Sequence, residues 1–500
     1  MGRVIGIDLG TTTTLVAYCD RSSKTPRIIA NRSGGSFTPS VVRFGERGEI
    51  LIGVDALNSR TLDPLNTVSS AKRLMGRYYS EITDTLDLLP YSVIPGTEGE
   101  SIISIRGELL SPEKIGSLIL TDLVQTASSL IAEDVDSVIV GVPAYFTQRQ
   151  RDATRRAVEI AGYTLGRLII EPVAASLYYN WNVRAFDRTS VVIDLGGGTF
   201  DVTVLGYGPN VNEVLAVNGD RLLGGNDFDE RLVELVTEKI RRQHGHEIDK
   251  RDPVLQQRLL DACISAKCEL SEQPSAIVSL PYCIGRDGRV YDFSVEVTLT
   301  EFDSVCEELF ERLRNPILQA LVDAKISSEG IHSVMFVGSA TRMKRVQNLV
   351  RGIFPSARFR IANPGEAVAL GAAVQAGIIE GSLDDYVHID AIPFGIGIED
   401  EFGRTSEIIC PNTTVPVSKC VWITNAISNT TTLEVHVLQG SAEMAIDNIS
   451  LARIVLDGVQ PVPRGVGIFR IDVDVNVNSE ISVTLSEESS RLSKTISIAT

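Results

Sequence analysis

The sequence lacks the usual features of membrane, secreted and zinc-binding proteins. No hydrophobic run approaches the ~20 residues that a helix needs to span a bilayer, and the N-terminus enters a predicted strand without a signal-peptide pattern. The seven cysteines are scattered and odd in number, and no two form a Cys-x-x-Cys pair. We therefore expect a cytoplasmic protein with buried, free thiols and no membrane partner.

Positive charge is also in short supply. Lys and Arg number 47 against 64 Asp and Glu, which gives a formal net charge of −17. Sequence-independent binding of nucleic acid relies on clustered Lys and Arg, so the composition argues against a nucleic-acid partner. It leaves room for a local basic site that binds a nucleotide. The 500 residues exceed the size of one ordinary hydrophobic core, and we expect two or more domains.

The most informative stretch is a glycine-rich turn between two hydrophobic runs in residues 191–205. The runs are rich in β-branched residues, which predicts a hairpin of two strands. Glycines 196–198 allow close approach of a ligand, and backbone N–H groups in such a turn can bind phosphate. Asp194 and Asp201 could hold a cation with its water shell, and Thr199 adds a hydroxyl. The simpler alternative is an ordinary hairpin.

A similar turn occurs near the N-terminus. Residues 4–17 contain Asp8, Gly10 and four consecutive threonines between two hydrophobic runs. Two such turns in one chain predict two similar halves that face each other across a cleft. A nucleotide's phosphates and a divalent cation would lie between them. A third glycine turn, at Gly338, could close the base or ribose side of this site.

Two charged residues outside the turns have two interpretations each. Lys72 is either a solvated charge or a cation that reaches the phosphates or orients a water molecule. Glu171 follows a hydrophobic strand and precedes Pro172, which fits a catalytic or cation-linked carboxylate as well as an ordinary turn at the end of a strand. The position of each residue in the sequence does not separate these alternatives.

The composition changes near residue 380. Before it, predicted strands alternate with predicted helices, which indicates an α/β domain of two lobes. The predicted helices include residues 147–161, 302–325 and 367–379. Residues 394–500 are rich in Val, Ile, Thr and Asn without a long helical pattern, which predicts a β-sandwich. We expect an α/β domain at 1–380, a linker at 381–393 and an all-β domain at 394–500.

Together these motifs resemble the DnaK-type chaperones of the seventy-kilodalton heat-shock family. The resemblance covers nearly all of the chain. Its motifs lie at residues 6–12, 142–146, 194–201, 223–229 and 437–440. It implies an actin-like, duplicated ribonuclease-H-like ATPase domain, an allosteric linker and a β-sandwich that binds extended apolar peptides. The implied function is an ATP-dependent chaperone in which hydrolysis of ATP to ADP is coupled to peptide binding and release.

The resemblance assigns roles at the nucleotide site. Asp8 and Asp194 would hold the water shell of Mg²⁺, and Asp201 would bind K⁺. Lys72 and Glu171 would position the attacking water for in-line phosphoryl transfer. The implied catalytic residues are Lys72, Glu171, Asp194 and Thr199. The implied nucleotide-binding residues are Gly10, Thr11, Thr12, Thr13, Gly196, Gly197, Gly198, Thr199, Gly224, Gly225, Lys267, Ser271, Gly338, Ser339 and Arg342.

The resemblance also implies a peptide groove, coupling elements and partners. The implied groove residues are Ile396, Ile398, Glu401, Ile423, Ala426, Leu433 and Val435. The implied coupling residues are Pro143, Arg151, Arg167 and Asp390. The partners would be unfolded or extended client peptides, a J-domain co-chaperone and a nucleotide-exchange factor. Because Glu401 falls where an arch closes over the peptide, we hypothesise that it favours peptides with basic flanks.

Three positions on the nucleotide side depart from the family's pattern, and Ile170 and Val173 replace polar residues near its usual J-domain contact. Ile264 and Gly365 stand where the family has acids, and Ser339 replaces the second glycine of the adenosine turn. These changes could weaken nucleotide affinity and leave the phosphate site intact. A low-turnover nucleotide-binding scaffold, or a specialised chaperone with altered co-chaperone dependence, is therefore an alternative function. A sugar kinase or a filament protein of the actin-like superfold is another, although the β-domain after a linker argues against both.

The sequence ends at Thr500, where the family's helical lid would begin. Either the protein has no lid, or the sequence is part of a longer chain. A groove without a lid would exchange peptide quickly because nothing covers the bound segment.

Overall fold

The computed structural model describes residues 2–83, 86, 89–181, 189–208, 211–249, 251–284, 289–361, 363–383, 387–476, 478–490 and 492–498. Residues 384–386 of the expected linker lie outside the described residues. In the described part of the chain, no helix is long and apolar enough to cross a membrane.

The helices and strands follow one another in three stretches. The first contains strands β1 (Arg3–Leu9), β2 (Thr13–Asp20), β3 (Thr25–Ile29), β4 (Thr38–Pro39), β5 (Val41–Phe44), β6 (Ile50–Ile52), β7 (Thr67–Ser69), β8 (Ser92–Pro95), β9 (Ser101–Ile105), β10 (Glu108–Leu110), β11 (Val135–Val142) and β12 (Thr164–Ile170), with helices α1 (Val54–Ser59), α2 (Pro112–Ile131), α3 (Gln148–Ile160) and α4 (Glu171–Asn180). The second contains β13 (Thr189–Leu195), β14 (Phe200–Gly208), β15 (Val211–Asp220), β16 (Ser275–Ile284), β17 (Val290–Thr298), β18 (Ser333–Val337), β19 (Arg358–Arg360) and β20 (Val387–Ile389), with α5 (Gly225–His244), α6 (Pro253–Leu270), α7 (Leu299–Val305), α8 (Glu307–Ala324), α9 (Lys344–Ile353) and α10 (Ala367–Ile379). The third contains β21 (Ala391–Ile392), β22 (Ile396–Glu399), β23 (Thr405–Ile409), β24 (Thr413–Thr414), β25 (Val417–Thr424), β26 (Thr432–Gln439), β27 (Ile449–Asp457), β28 (Ile468–Val475), β29 (Ile481–Glu487) and β30 (Ser493–Ile498).

The two largest sheets share one arrangement of strands. The first has the order β12-β11-β1-β2-β3, and the second has the order β19-β18-β13-β14-β15-β20. In each, an antiparallel hairpin lies beside two parallel strands. The predicted turns join β1 to β2 and β13 to β14, so they occupy equivalent places in the two sheets. This confirms the expected pair of similar halves, each with a hairpin.

The third stretch is built almost entirely from strands, as expected. The sheet β23-β22-β26-β27 and the sheet β25-β28-β29-β30 are both antiparallel. Their alternating residues enclose one hydrophobic cluster that includes Ile398, Val437 and Ile471. Alternation of buried and exposed residues is typical of two sheets packed face to face, which is the sandwich that the composition predicts.

Two of these three helix predictions are confirmed, and the third is wrong. The helices at 147–161 and 367–379 correspond to α3 and α10. The single helix predicted at 302–325 is instead two helices, α7 and α8, that meet at Cys306, whose φ of −99° and ψ of 4° are not helical. The hydrophobic pattern continues across this break, so periodicity does not reveal it.

The cysteines differ from the expectation in their exposure. All seven thiols are free, as expected. Cys268, Cys410 and Cys420 are exposed, so the expectation of buried thiols is wrong for these three. Cys268 lies on α6, and Cys420 lies on β25, a strand whose side chains alternate between the core and the surface.

Helix α10 crosses α4 so closely that one position accepts only glycine. A Cβ atom added at Gly371 would lie 1.6 Å from the carbonyl oxygen of Ala174. Helix α10 is buried along most of its length and also packs against β1 and β2. The contact therefore fixes the core beneath the N-terminal turn.

Substitution at this crossing is expected to destabilise the fold. Gly371→Ala would force the two helix backbones apart, and overpacking of this kind costs roughly 1–3 kcal/mol of unfolding free energy. Urea unfolding measures the change. The matched control is Gly352→Ala in α9, where an added Cβ meets no atom within 4 Å and the smaller backbone entropy of alanine should stabilise by roughly 0.5–1 kcal/mol. Equal stability of Gly371→Ala and wild type would contradict the close crossing.

Candidate nucleotide and peptide sites

The two glycine turns face each other. A Cβ atom added at Gly197 would lie 2.1 Å from Oγ1 of Thr12. The amide of Gly225 donates to the carbonyl of Gly196 over 2.8 Å, which holds the loop before α5 against the second turn. The turns thus meet where no side chain fits, with threonine hydroxyls beside them. Closely spaced backbone amides and hydroxyls of this kind suit a phosphate group.

Three carboxylates lie behind these turns. The pKa of Asp8 and that of Asp201 are each raised to about 7, first by burial and then by the negative charge of Glu171. The same two causes raise the pKa of Asp194. Among the described residues, the Oδ2 atoms of Asp194 and Asp201 are buried and have no hydrogen-bond partner. Buried carboxylates without partners are costly, and a cation would offset that cost.

The carboxylates fit a cation that is held largely through water. Within the described residues, no group of three His, Cys, Asp or Glu side chains is close enough to ligate a metal directly. Mg²⁺ loses its water shell reluctantly and is usually bound by one or two carboxylates together with phosphate oxygens. Asp8 and Asp194 would be the carboxylates of such a site. Oδ1 of Asp201 accepts a hydrogen bond from the amide of Tyr145 over 3.0 Å, which leaves Oδ2 for a second ion.

Lys72 is not a solvated charge. Its Nζ lies 2.7 Å from Oε1 of Glu171, and both residues are buried. The ammonium also lies 5.5 Å from the centre of the Phe146 ring, and its positive charge opposes the rise in the pKa of Asp8. A lysine that is buried beside the carboxylates can reach an entering phosphate or the water that attacks it. Glu171, the first residue of α4, is likewise more than an ordinary strand end.

The predicted adenosine-side residues come from three elements that meet. A Cβ atom at Gly225 would lie 3.4 Å from Nζ of Lys267 on α6 and 3.5 Å from Cβ of Ala340. Gly338 adopts a φ of 78°, and an added Cβ would lie 2.2 Å from the carbonyl oxygen of Leu195. The third glycine turn therefore rests against the end of β13, next to Asp194.

Several of these side chains already have partners within the protein. Nζ of Lys267 lies 2.8 Å from both the carbonyl oxygen of Gly225 and Oδ1 of Asp229. The hydroxyl of Ser271 donates to the carbonyl oxygen of Lys267 over 3.3 Å, and Arg342 is exposed. Lys267 would thus exchange part of an internal network for a nucleotide, whereas Arg342 is free to approach from solvent.

The departures at Ser339 and Gly365 lie next to each other. A Cβ atom at Gly365 would be 3.1 Å from Oγ of Ser339 and 3.0 Å from the Phe37 ring. Gly365 therefore leaves a small space at this point, bordered by the Ser339 hydroxyl and the Phe37 ring. Phe37, 37% exposed in the same place, adds an aromatic edge that the sequence motifs do not indicate.

Three of the four predicted coupling residues, Arg151, Arg167 and Asp390, interact at the linker. Strand β20 adds to the edge of the second large sheet beside β15, with Asn212 paired to His388. Nη2 of Arg167 lies 3.7 Å from Oδ2 of Asp390. Burial lowers the pKa of Arg151, and the negative charge of Asp390 opposes this shift. The linker thus contacts both large sheets.

Some contacts at the same place were not predicted. The ring of Tyr145, whose amide binds Asp201, lies 4.4 Å from the ring of Phe394, the first residue of the expected β-domain. On α3, the Gln148 amide donates to the Gln439 side chain over 3.3 Å. Beside the second glycine turn, Arg73 pairs with Asp227 over 2.8 Å. The motif containing Tyr145 was recognised, but its partners are too distant in sequence for spacing to reveal them.

The predicted groove residues divide by exposure. Ile396, Ile398 and Val435 are buried in the core of the sandwich, whereas Leu433 and Ile423 are half-buried against it. Of these five hydrophobic residues, the half-buried pair offers surface to a peptide. The buried isoleucines and Val435 line the core beneath them.

Glu401 and Ala426 are both exposed, as residues at the mouth of a groove would be. Oε2 of Glu401 lies 2.6 Å from Nη2 of Arg464, which follows β27. The ion pair joins the loop between β22 and β23 to the loop between β27 and β28. Glu401 therefore already has a basic partner within the chain.

Comparisons with known proteins agree with this geometry. A family model described as "Hsp70 protein" matches residues 4–500. The whole chain is 39% identical over 500 residues to the chaperone protein DnaK of Thermus thermophilus, covering 80% of that protein. It is also 39% identical to the chaperone protein dnaK3 of Synechococcus elongatus, covering 66% of it, and 38% identical to the chaperone protein dnaK of Cyanidioschyzon merolae, covering 82%. The chain belongs to the Hsp70 family.

Proposed function

We propose that this protein is an ATP-dependent chaperone that binds extended hydrophobic segments of unfolded proteins. Hydrolysis of ATP to ADP and phosphate in the α/β part is coupled to peptide binding in the β-sandwich. The observation that carries the proposal is the position of β20. This strand, which leads into the sandwich, pairs with the sheet whose hairpin carries Asp194 and Asp201. Family membership argues against the sugar-kinase and filament alternatives.

The residues of the nucleotide site support hydrolysis by positioning and charge. Mg²⁺, when bound, neutralises charge on the phosphates of ATP, and Asp8 and Asp194 would hold it through water. Lys72 and Glu171, paired at 2.7 Å, would orient the attacking water, and Thr199 would lie beside the terminal phosphate. Phosphoryl transfer depends mainly on such positioning and electrostatic stabilisation.

The coupling would use two contacts between the nucleotide site and the start of the sandwich. The first joins Asp201 to Tyr145 and Tyr145 to Phe394, so a K⁺ ion at Asp201 would fix the segment that packs on Phe394. The second is the pair of Arg167 and Asp390. Both contacts depend on docking of the linker, so release of the linker would free the sandwich from the nucleotide site.

The same contacts support the domain division that we propose. We place an ATPase domain at 1–380, in which the matching sheets are a duplicated ribonuclease-H-like unit, a linker at 381–393 and a peptide-binding sandwich at 394–500. Because Arg167 faces the docked linker, a J-domain co-chaperone would act at this junction. A nucleotide-exchange factor would act on the opening of the cleft.

The dissociation rate of a fluorescent apolar peptide from the complex tests the proposal. The rate should be faster with ATP than with ADP, because we expect the linker to dock on the two large sheets in only one of these two nucleotide states. Gly197→Ala should remove the effect of ATP, since an added Cβ at Gly197 would strike Thr12. Thr12→Ala should also remove it, because it deletes one of the hydroxyls beside the turns. Equal rates with ATP and ADP, despite measurable ATP binding, would favour the scaffold alternative.

The ion pair at the mouth of the groove leads to a prediction about peptide preference. Arg464→Ala should strengthen binding of peptides with Lys or Arg flanks, because it frees Glu401 from its 2.6 Å partner. Glu401→Ala should remove the preference for basic flanks. The expected changes are a few-fold, since exposed ion pairs contribute only about 0.2–1 kcal/mol. Peptide arrays measure them.

The control for this prediction is Arg453→Ala, which breaks the exposed pair with Glu434 on neighbouring strands. It should leave the preference unchanged. Binding that is indifferent to basic flanks in wild type and in both groove variants would contradict the role of Glu401.

A further inference from the structure

Three arginines line one small cavity beside the nucleotide cleft. Arg77, Arg149 and Arg221 surround a space of about 130 Å³, and Glu81 is the acid in the same lining. The chain as a whole is acidic, with a formal net charge of −17. A concentration of guanidinium groups in such a chain indicates a local need for positive charge.

The described residues balance the positive charge in this cavity only in part. Arg149 pairs with Glu81 over 2.9 Å. In the described part of the chain, neither Arg77 nor Arg221 forms an ion pair with a carboxylate. Instead, Nη2 of Arg77 donates to the backbone carbonyl of Arg221 over 3.1 Å, and the Arg221 guanidinium lies 5.7 Å from the Phe394 ring. The neighbouring carboxylate, Asp220, is paired with Arg312.

The guanidinium groups also have hydrogen-bonding capacity to spare. Nε and Nη1 of Arg149 are buried and have no partner among the described residues. Burial, and next the positive charge of Arg221, lowers the pKa of Arg77 to about 10. Buried donors without acceptors and neighbouring like charges are both unfavourable, and one bound anion would relieve both.

The cavity walls come from three separate segments. Arg77 follows the loop that carries Lys72, Arg149 lies in the first turn of α3, and Arg221 precedes the glycine loop at residues 224–225. An anion there would connect the part of the molecule that is built on the first large sheet with the part that is built on the second. It would also lie beside Phe394, at the junction with the sandwich.

We propose that this cavity binds a phosphate-type oxyanion, with inorganic phosphate as its simplest ligand. Several guanidinium groups around one small space match the tetrahedral, multiply charged phosphate, because each presents paired donors in a fixed fork. The site is distinct from the two glycine turns. It goes beyond the chaperone function and does not depend on it, since phosphate binding here requires neither hydrolysis nor a peptide. The phosphate comes either from solution or from ATP hydrolysed in the adjacent cleft.

Titration of the full chain with inorganic phosphate tests the site, by calorimetry or by ³¹P line width. A saturating, non-hydrolysable ATP analogue with Mg²⁺ first occupies the glycine turns. Arg221→Gln and Arg149→Gln should each weaken phosphate binding about tenfold, the effect of losing one charge-assisted hydrogen bond. Glu81→Gln should strengthen it several-fold, because the competing carboxylate is removed. Misfolding cannot imitate that gain.

The matched control is Arg47→Gln, an exposed arginine distant in sequence from the cavity, which should leave phosphate affinity unchanged. No phosphate binding once the analogue is bound, or binding that Arg221→Gln and Glu81→Gln leave unchanged, would overturn the proposal.

A second measurement separates the two sources of phosphate. Release of phosphate after a single turnover, followed with a phosphate-binding sensor, should be faster in Arg221→Gln if product phosphate pauses in the cavity. Equal release rates, together with weakened binding in the titration, would assign the site to phosphate from solution. If the protein proved not to be a chaperone, the phosphate titration would still test the cavity in the same way.

Discussion

Replacing Lys72 with alanine is expected to lower the single-turnover rate of ATP hydrolysis by roughly 100- to 1,000-fold, the range found when one preorganised electrostatic contact at a reacting centre is removed. Lys72 is the buried cation that lies 2.7 Å from Glu171 and offsets the charges of Asp8 and Asp194. ATP should still bind, because the glycine turns and threonine hydroxyls remain. The measurement uses a preformed complex with radiolabelled ATP.

The control for this prediction is Lys114→Ala. Lys114 is exposed on α2, and its backbone amide, which the substitution keeps, makes the capping hydrogen bond to Ser111. Its hydrolysis rate should equal that of wild type. A Lys72→Ala rate close to wild type would show that the buried pair is structural and that another group positions the water.

Replacing Asp390 with alanine is expected to abolish the acceleration of hydrolysis by peptide while leaving the basal rate nearly unchanged. Asp390 is buried, and Arg167 on β12 faces it at 3.7 Å. Loss of the carboxylate would remove the negative charge that faces Arg167 and would weaken docking of the linker. Arg167→Ala should have the same effect, and the double variant should show no further loss, because both substitutions remove one interaction.

Asp457→Ala provides the control for this coupling experiment. Asp457 is an exposed carboxylate at the end of β27 in the sandwich, and its removal should leave stimulation by peptide intact. Stimulation in Asp390→Ala equal to that of wild type would contradict the role of the Arg167 contact, whatever the basal rate.

Local signals in the sequence predicted the local parts of the fold. The two aspartate-glycine turns, the helix predicted at 147–161 and the alternating strands after residue 394 all depend on residues close together in the chain. The break between α7 and α8 at Cys306 escaped prediction because the hydrophobic spacing on either side is continuous.

The contacts of the candidate sites were likewise predicted only in part. The facing of Gly197 and Thr12 followed from recognising two similar turns, and the nearness of Lys72 to Glu171 followed only from the family resemblance. The pairing of Glu401 with Arg464 and the cavity of Arg77, Arg149 and Arg221 could not be predicted. Their members are dozens of residues apart, and all except Arg149 lie in loops, where spacing and periodicity carry no information about distant contacts.

Single-turnover ATP hydrolysis tests the coupling of hydrolysis to peptide binding most directly. It is measured with and without an apolar heptapeptide, in wild type and Thr199→Ala. Thr199 lies in the turn that joins β13 to β14, where its carbonyl oxygen accepts a hydrogen bond from Gly196 over 3.1 Å. We expect slow wild-type hydrolysis that the peptide accelerates, and loss of that hydrolysis in the variant. Wild-type hydrolysis that the peptide leaves unchanged would contradict the coupling of the nucleotide site to the sandwich.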